Sequence, residues 1–215
     1  MSEASSPRTA RKNGPPSDLT QSEKAQLDTL ILEAQRGDED ALTTLLLRYR
    51  PLVDATLVRL LGPRSENADL RQETYARAIA HLRTLKEPRG FANWLKRIAT
   101  HVAVDHLRKR KQQSWLTVVD PHALPEVPVE TLDELKAHRV RRIYALLDSL
   151  PTDERAAFSL RWLSEYELTE VAEICGCSLA TAKRRISRGH SRFSILAQQD
   201  PLLNDSIHEP EEASS

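Results

Sequence analysis

Residues 168–193 constrain this chain more than any other stretch. Val171, Ala172 and Ile174 fall on a short helix that ends at Cys175-Gly176-Cys177. Ser178 then stands where a cap would open a second helix, on which Leu179, Ala182, Ile186, Gly189 and Phe193 share one apolar sector. A short helix, a tight glycine turn and a second helix form the helix-turn-helix pattern. The outward face of that second helix holds Thr181, Arg184, Arg185, Arg188 and Arg192, with Lys183 at its flank and no acid among them. A basic, solvated helix is the plainer alternative. Turn, cap and charge together point to duplex DNA, whose phosphates take Lys and Arg and whose guanine edges accept Arg.

The rest of the chain reads as helix. Residues 1–19 are expected to be a disordered tail, since Ser5, Pro7, Gly14, Pro15 and Pro16 cannot support a core. Thr20 and Glu23 have capping-box spacing ahead of Leu27, Leu30, Ile31 and Ala34. Asp38 or Asp40 can cap the next helix, which Pro51 should kink or restart before Gly62-Pro63 ends it. A third helix is expected over about 68–82 and a fourth over about 91–111. On the fourth, Phe91, Trp94, Leu95, Ile98, Ala99 and Val102 lie on one face, with Asn93, Lys96, Arg97, Thr100 and Arg108 mostly opposite. Pro121, Pro125 and Pro128, among several acids, make residues 113–134 a flexible linker. Helices resume near Leu135 and restart after Pro151, with Thr152 as a cap and Asp153 and Glu154 in the first turn. The expected fold class is all-α: two small helical domains, 20–112 and 135–196, joined by that linker, the second containing the helix-turn-helix. An acidic tail, 197–215, follows.

Charge and cysteine usage narrow the function classes. Lys+Arg and Asp+Glu are equal at 31 each, so segregation of charge, including the unbroken run Arg108-Lys109-Arg110-Lys111, says more than the total. Two cysteines make no disulfide framework and fit a reducing cytosol. No apolar run reaches the roughly 18 residues that suggest a membrane span, and the N-terminus has no secretory core, so a cytoplasmic protein without membrane insertion is expected. Cys175 and Cys177 supply half a zinc site with no further cysteine to complete it, and read as packed thiols. His101, Asp105 and His106 do not converge on one helical face. With no phosphate loop, nucleophile elbow or metalloprotease motif, no metal, cofactor or catalytic residue is expected.

Three segments resemble a known family. They are Ala68-Asp69-Leu70-Arg71-Gln72-Glu73-Thr74-Tyr75-Ala76-Arg77-Ala78; Phe91-Ala92-Asn93-Trp94-Leu95-Lys96-Arg97-Ile98-Ala99 through Asp105-His106-Leu107-Arg108-Lys109-Arg110; and Leu150-Pro151-Thr152-Asp153-Glu154-Arg155 followed by Glu170-Val171-Ala172-Glu173-Ile174 and Thr181-Ala182-Lys183-Arg184-Arg185-Ile186. In this order, parted by a short linker, they resemble the extracytoplasmic-function type of the sigma-70 superfamily. The resemblance implies a sigma factor that binds core RNA polymerase and directs promoter recognition and DNA melting.

It also implies roles. Asp69, Gln72 and Glu73, with Leu70 and Arg77, would meet the polymerase's beta-prime clamp. Lys86, Arg89, Phe91, Asn93, Trp94, Lys96, Arg97, His101, Arg108, Lys109 and Arg110 would form the minus-ten surface, where a flipped base needs a pocket and the separated strand needs cations. Ser178, Thr181, Lys183, Arg184, Arg185, Ser187 and Arg188 would read the minus-thirty-five element. Implied partners are core polymerase through its beta-prime clamp and beta flap, promoter DNA, and an anti-sigma factor. His101 stands where the family commonly has Asn, and Ala182 where Val is commoner. Two rival readings are a helix-turn-helix regulator acting without polymerase, and a sigma-mimic interaction module. The first leaves the Gln72-Glu73 and Trp94 helices unexplained, and the second usually comes with a signalling domain.

Overall fold

The computed structural model describes residues 21–114 and 132–207. The tail 1–19, most of the linker and residues 208–215 lie outside them. Nine helices and two 3₁₀ turns account for the described residues, with no strand among them.

The first domain packs α1 (Gln21–Arg36), α2 (Glu39–Leu61), α3 (Asn67–His81) and α4 (Phe91–Ser114) around α2. Asp38 caps α2, its Oδ1 accepting from the Ala41 N–H at 2.8 Å. Leu45, Tyr49, Val53, Leu57 and Leu60 repeat at three- and four-residue spacing and are buried. Pro51 does not restart the helix, one of the two outcomes expected from sequence: α2 runs on from Glu39 to Leu61. Pro51 is exposed, as is Leu47, whose carbonyl would otherwise accept the missing N–H, so the proline lies on the solvent side of the helix.

The second domain comprises α5 (Leu132–Ser149), α6 (Thr152–Trp162), α7 (Leu168–Cys175), α8 (Leu179–Gln199) and α9 (Pro201–Ile207). Thr152 is the first helical residue rather than the cap, a position taken by Pro151, whose fixed φ suits the entry. Helix α6 is central: every residue from Glu154 to Leu160 is buried. Gly189 lets α8 cross it closely, because a Cβ there would lie 2.8 Å from the Glu154 carbonyl oxygen. The fold also continues beyond 196. Ala197 and Leu203 pack with Leu146, and fully buried Asp200 accepts from Arg142 Nε at 2.8 Å while capping the Leu202 N–H at 3.1 Å. In the sequence Asp200 looks like tail acid because its partner lies 58 residues away.

The two domains touch. Helix α4 packs on α6 and α7, and α2 on α6, so buried residues of both domains form one continuous core. Tyr144 of α5 donates its hydroxyl to the Arg59 carbonyl at 3.1 Å.

Candidate nucleic-acid interface

Three surfaces hold the residues singled out by sequence. On α3, Asp69, Gln72, Glu73 and Ala76 form an exposed row, while Thr74 and Ala78 on the other side are buried and Leu70 packs against the core. Arg77 does not stand free beside that row. It donates to Glu73 Oε1 at 2.9 Å and to Asp105 Oδ2 at 3.0 Å, tying α3 to α4.

The second surface is α4 and the turn before it. Lys86, Asn93 and Lys109 are exposed, and Arg89 reaches Asp28 at 3.6 Å. Phe91 is a core residue rather than a surface contact: it is buried, edge-on to Tyr49 at 5.0 Å and tilted against Trp94 at 5.7 Å. Its helical spacing from Trp94 and Leu95 puts it on the inner face, so it can only support the half-exposed Trp94 ring.

The polar side of α4 departs further from expectation. Thr100, expected opposite the apolar face, is fully buried. Its hydroxyl donates to the Lys96 carbonyl at 2.8 Å, which leaves the Tyr166 hydroxyl, 3.0 Å away, to donate to it. Lys96 Nζ lies 4.8 Å from the centre of the Tyr166 ring, a cation–π contact. Burial, with Arg59 nearby, lowers the Lys96 pKa. Arg97 pairs with Glu173, and Arg108 donates to the Cys175 carbonyl at 2.9 Å and approaches Asp153 at 3.8 Å. Arg110 approaches Asp148 at 3.4 Å. His101 is half-buried; desolvation and then the Arg97 charge push its pKa down, favouring the neutral imidazole. Tyr166, Asp148, Asp153 and Glu173 belong to the second domain. Sequence reasoning missed their part because nothing in a sequence reports which distant element will cover a helix.

The third surface is α7–α8. Glu167 and Glu170 form a capping box at the start of α7, and Gly176, at φ 61°, turns the chain into α8. The Thr181 N–H donates to Ser178 Oγ at 3.2 Å, as the sequence predicts. Ala182 and Gly189 are buried, but Leu179, the first residue of α8, is 49% exposed. Ser178, Lys183, Arg184, Ser187 and Arg188 form an exposed face with Thr181 at its edge. Arg185 and Arg192, expected on the same face, turn toward α6: Arg185 donates to Asp153 at 2.6 Å and Arg192 meets Glu154 at 3.0 Å. Cys175 is buried and its thiol is pushed up to about 11, mainly by desolvation, so it packs as a neutral thiol.

A basic helix-turn-helix helix stands on one domain, and a cationic helix beside an exposed acid–amide row on the other, the chemistry of a protein with more than one macromolecular contact surface. Comparison with known proteins makes the class specific. Residues 45–113 match the family Sigma-70 region 2, and residues 140–192 match Sigma-70, region 4. The chain is 30% identical to the ECF RNA polymerase sigma factor SigW of Bacillus subtilis, over 74% of this chain and 90% of that protein. It is 29% identical to the RNA polymerase sigma-H factor of Pseudomonas aeruginosa, over 87% and 99% respectively. The ECF RNA polymerase sigma-E factor of Escherichia coli K12 is also 29% identical, over 85% and 98%. The fold is similar to that of CnrH in its complex with the cytosolic domain of CnrY, with a TM-score of 0.53 and 20% identity over 81% of this chain and 98% of that one.

The chain therefore belongs to the sigma-70 family, in its extracytoplasmic-function group, and is an RNA polymerase sigma factor directing transcription initiation. Its partners are core RNA polymerase and promoter DNA.

Proposed function

We propose that the three surfaces divide the work of initiation. The exposed row Asp69, Gln72 and Glu73 on α3 holds the beta-prime clamp of core polymerase: two carboxylates accept from cationic side chains, and an amide between them both donates and accepts. Leu70 and Arg77 hold that row in place, through core packing and through the bridge to Asp105. Lys86, Arg89, Asn93, Trp94 and the basic residues of α4 receive the separated minus-ten strand, with His101 at the edge of a base pocket. Lys183, Arg184, Ser187 and Arg188 read the minus-thirty-five duplex, and the second domain also meets the beta flap. The protein works in the cytoplasm, does no bond chemistry itself, and has an anti-sigma protein as its regulator.

The observation that carries this reading is the separation of an exposed acid–amide row and an exposed basic helix onto different domains. A protein that bound only DNA would have no use for the first. The test is run-off transcription with core polymerase by the double variant Gln72→Ala with Glu73→Ala. Both residues are exposed, so folding should change by less than about 0.5 kcal/mol each. Polymerase binding and transcript should fall together. Undiminished affinity for core polymerase in a folded double variant would end the clamp assignment.

A further inference from the structure

We propose that Arg64, Arg110 and Arg155, gathered around Asp148, form a binding site for a small phosphate, either free or at the end of a nucleotide. The site is separate from the surfaces given above to polymerase and to duplex DNA, and shares only Arg110 with the minus-ten surface.

The four residues come from four places in the fold. Arg64 lies in the turn between α2 and α3, Arg110 near the end of α4, Asp148 in the last turn of α5 and Arg155 in the first turn of α6. Both oxygens of the Asp148 carboxylate are in use. Its Oδ2 accepts from Arg64 and, at 3.4 Å, from Arg110, while its Oδ1 accepts from Arg155. One carboxylate thus faces three guanidiniums, and two positive charges stay uncompensated. Arg64 also donates its Nε to the Leu61 carbonyl at 2.7 Å, a neutral acceptor that cancels no charge. Glu66, an acid close to the same cluster, is exposed and accepts from Ser65 Oγ at 3.0 Å.

At an exposed surface water would screen such a surplus. Arg155 has no such relief: its side chain is 5% exposed, and its Nε and Nη2 are buried with no hydrogen-bond partner among the described residues. A buried charged donor without an acceptor is costly. Burial lowers the Arg155 pKa to about 10, with Arg64 and Arg110 pushing the same way against Asp148. His106 Nε2 is likewise buried and without a partner among the described residues. Burial lowers the His106 pKa, Glu66 raises it, and Arg110, Arg64 and Arg155 lower it, so this ring sits in the field of the same arginines. A second anion here would answer both deficits, the spare donors and the surplus charge.

Chemistry and access select the anion. A phosphate offers several oxygens and up to two charges, and guanidiniums grip such oxygens in pairs. Arg64 is 19% exposed and Arg110 41%, so the cluster meets solvent along that edge and closes toward Arg155. A phosphate within a nucleic-acid backbone is flanked by two sugars and does not fit such a recess. Orthophosphate or the terminal phosphate of a nucleotide does.

The test is thermal unfolding of the full-length protein with inorganic phosphate titrated at constant ionic strength, in about 0.3 M KCl to screen loose binding to exposed cations. Phosphate should raise the midpoint in a saturable way, as a ligand of the folded state does. Arg64→Gln should abolish most of the rise, and Arg110→Gln, at the exposed edge, supplies a second variant whose folding is not in question. Arg184→Ala with Arg188→Ala strips exposed cations from α8 and should leave the rise intact. Asp148→Asn separates a ligand site from a purely structural network. It should lower the midpoint without phosphate, yet bind phosphate about tenfold more tightly than the wild type, because the anion then replaces the lost carboxylate. ATP and adenosine, run in parallel, tell the sources apart: a rise with ATP at lower concentration than with phosphate, and none with adenosine, makes the ligand a nucleotide. No saturable rise with phosphate or ATP, a rise kept in full by both arginine variants, or an Asp148→Asn protein no more responsive than the wild type would overturn the proposal. Stabilisation by a promoter oligonucleotide that Arg64→Gln abolishes, with none by phosphate or ATP, would overturn it as well and assign the cluster to the DNA backbone.

Discussion

The two basic surfaces, on α8 and on α4, are both rich in arginine, yet they are in opposite states. On α8, Lys183, Arg184 and Arg188 project outward with no ion pair among the described residues. On α4, Arg97, Arg108 and Arg110 each face a carboxylate or carbonyl of the second domain. The difference follows from geometry. A helix-turn-helix presents its second helix on the outside, because the first helix and the glycine turn support only the inner side. Helix α4 is long, amphipathic and flanked on both sides, so its polar stripe becomes a docking surface once a second domain of opposite local charge lies near. Similar composition therefore gives a surface open to solvent in one place and one covered by protein in the other.

The sharpest test of the open surface removes its charges. Arg184→Ala with Arg188→Ala should cost promoter binding by the holoenzyme about 1–3 kcal/mol per residue that reads a base. Footprinting on one promoter over a salt series measures this, and scattering by the free protein should not change. Full promoter affinity in the double variant would mean that α8 is not the reader.

Gly189→Ala tests how the open surface is held. The added methyl meets the Glu154 carbonyl oxygen at 2.8 Å and Phe158 Cβ at 3.0 Å. Overpacking of this kind costs about 1–3 kcal/mol, more than the gain in helix propensity from alanine. Urea unfolding followed by circular dichroism should show the loss. An unchanged midpoint would mean that α6 and α8 separate without penalty.

Two histidines give the covered surface a pH signature. Desolvation lowers the pKa of both His101 and His106 in the folded protein. The unfolded chain, titrating near about 6.5, then binds more protons than the folded one as pH falls. Stability should be level above about pH 7.5, fall as pH drops through the unfolded value, and level again below the folded values. His101→Asn with His106→Gln should flatten that slope in unfolding titrations. A slope of the opposite sign would mean that these rings are charged in the folded state. His101→Asn alone should change which promoters are opened, and a promoter library giving identical base preferences would remove His101 from the base pocket.

Arg185→Ala should have the smallest effect. The residue is held at 2.6 Å by a half-exposed Asp153, a pair of a kind worth about 0–1 kcal/mol. Its loss should weaken promoter binding less than that of Arg184. Equal losses would show that DNA draws Arg185 away from Asp153, making the two surfaces less different than their free forms.

Much of this was legible along the chain. Periodic apolar residues place α1 to α4, and Gly176 with Ser178 places the turn and cap of the helix-turn-helix, because these depend on neighbours three or four residues apart. The exposed row on α3 is legible for the same reason. Phe91 was misplaced as a contact because a resemblance marks a segment as functional without saying which of its side chains face inward. Leu179 was misplaced because helical periodicity assigns a face and does not report whether the end of that face is covered.

What the sequence determined by itself is local: an all-α chain, the place of most of its helices, its helix-turn-helix and the family to which its motifs belong. Tertiary structure alone decided that Thr100 is buried, that Asp200 belongs to the core, that Arg185 turns inward, and that Tyr166 covers α4. Each depends on a partner far away in the chain: 66 residues separate Thr100 from Tyr166, 58 separate Arg142 from Asp200, and 32 separate Asp153 from Arg185. Helical periodicity sorts side chains by face, but which face meets protein and which meets water is settled only when the domains pack, since that packing determines which charges are desolvated and which carboxylates can reach them.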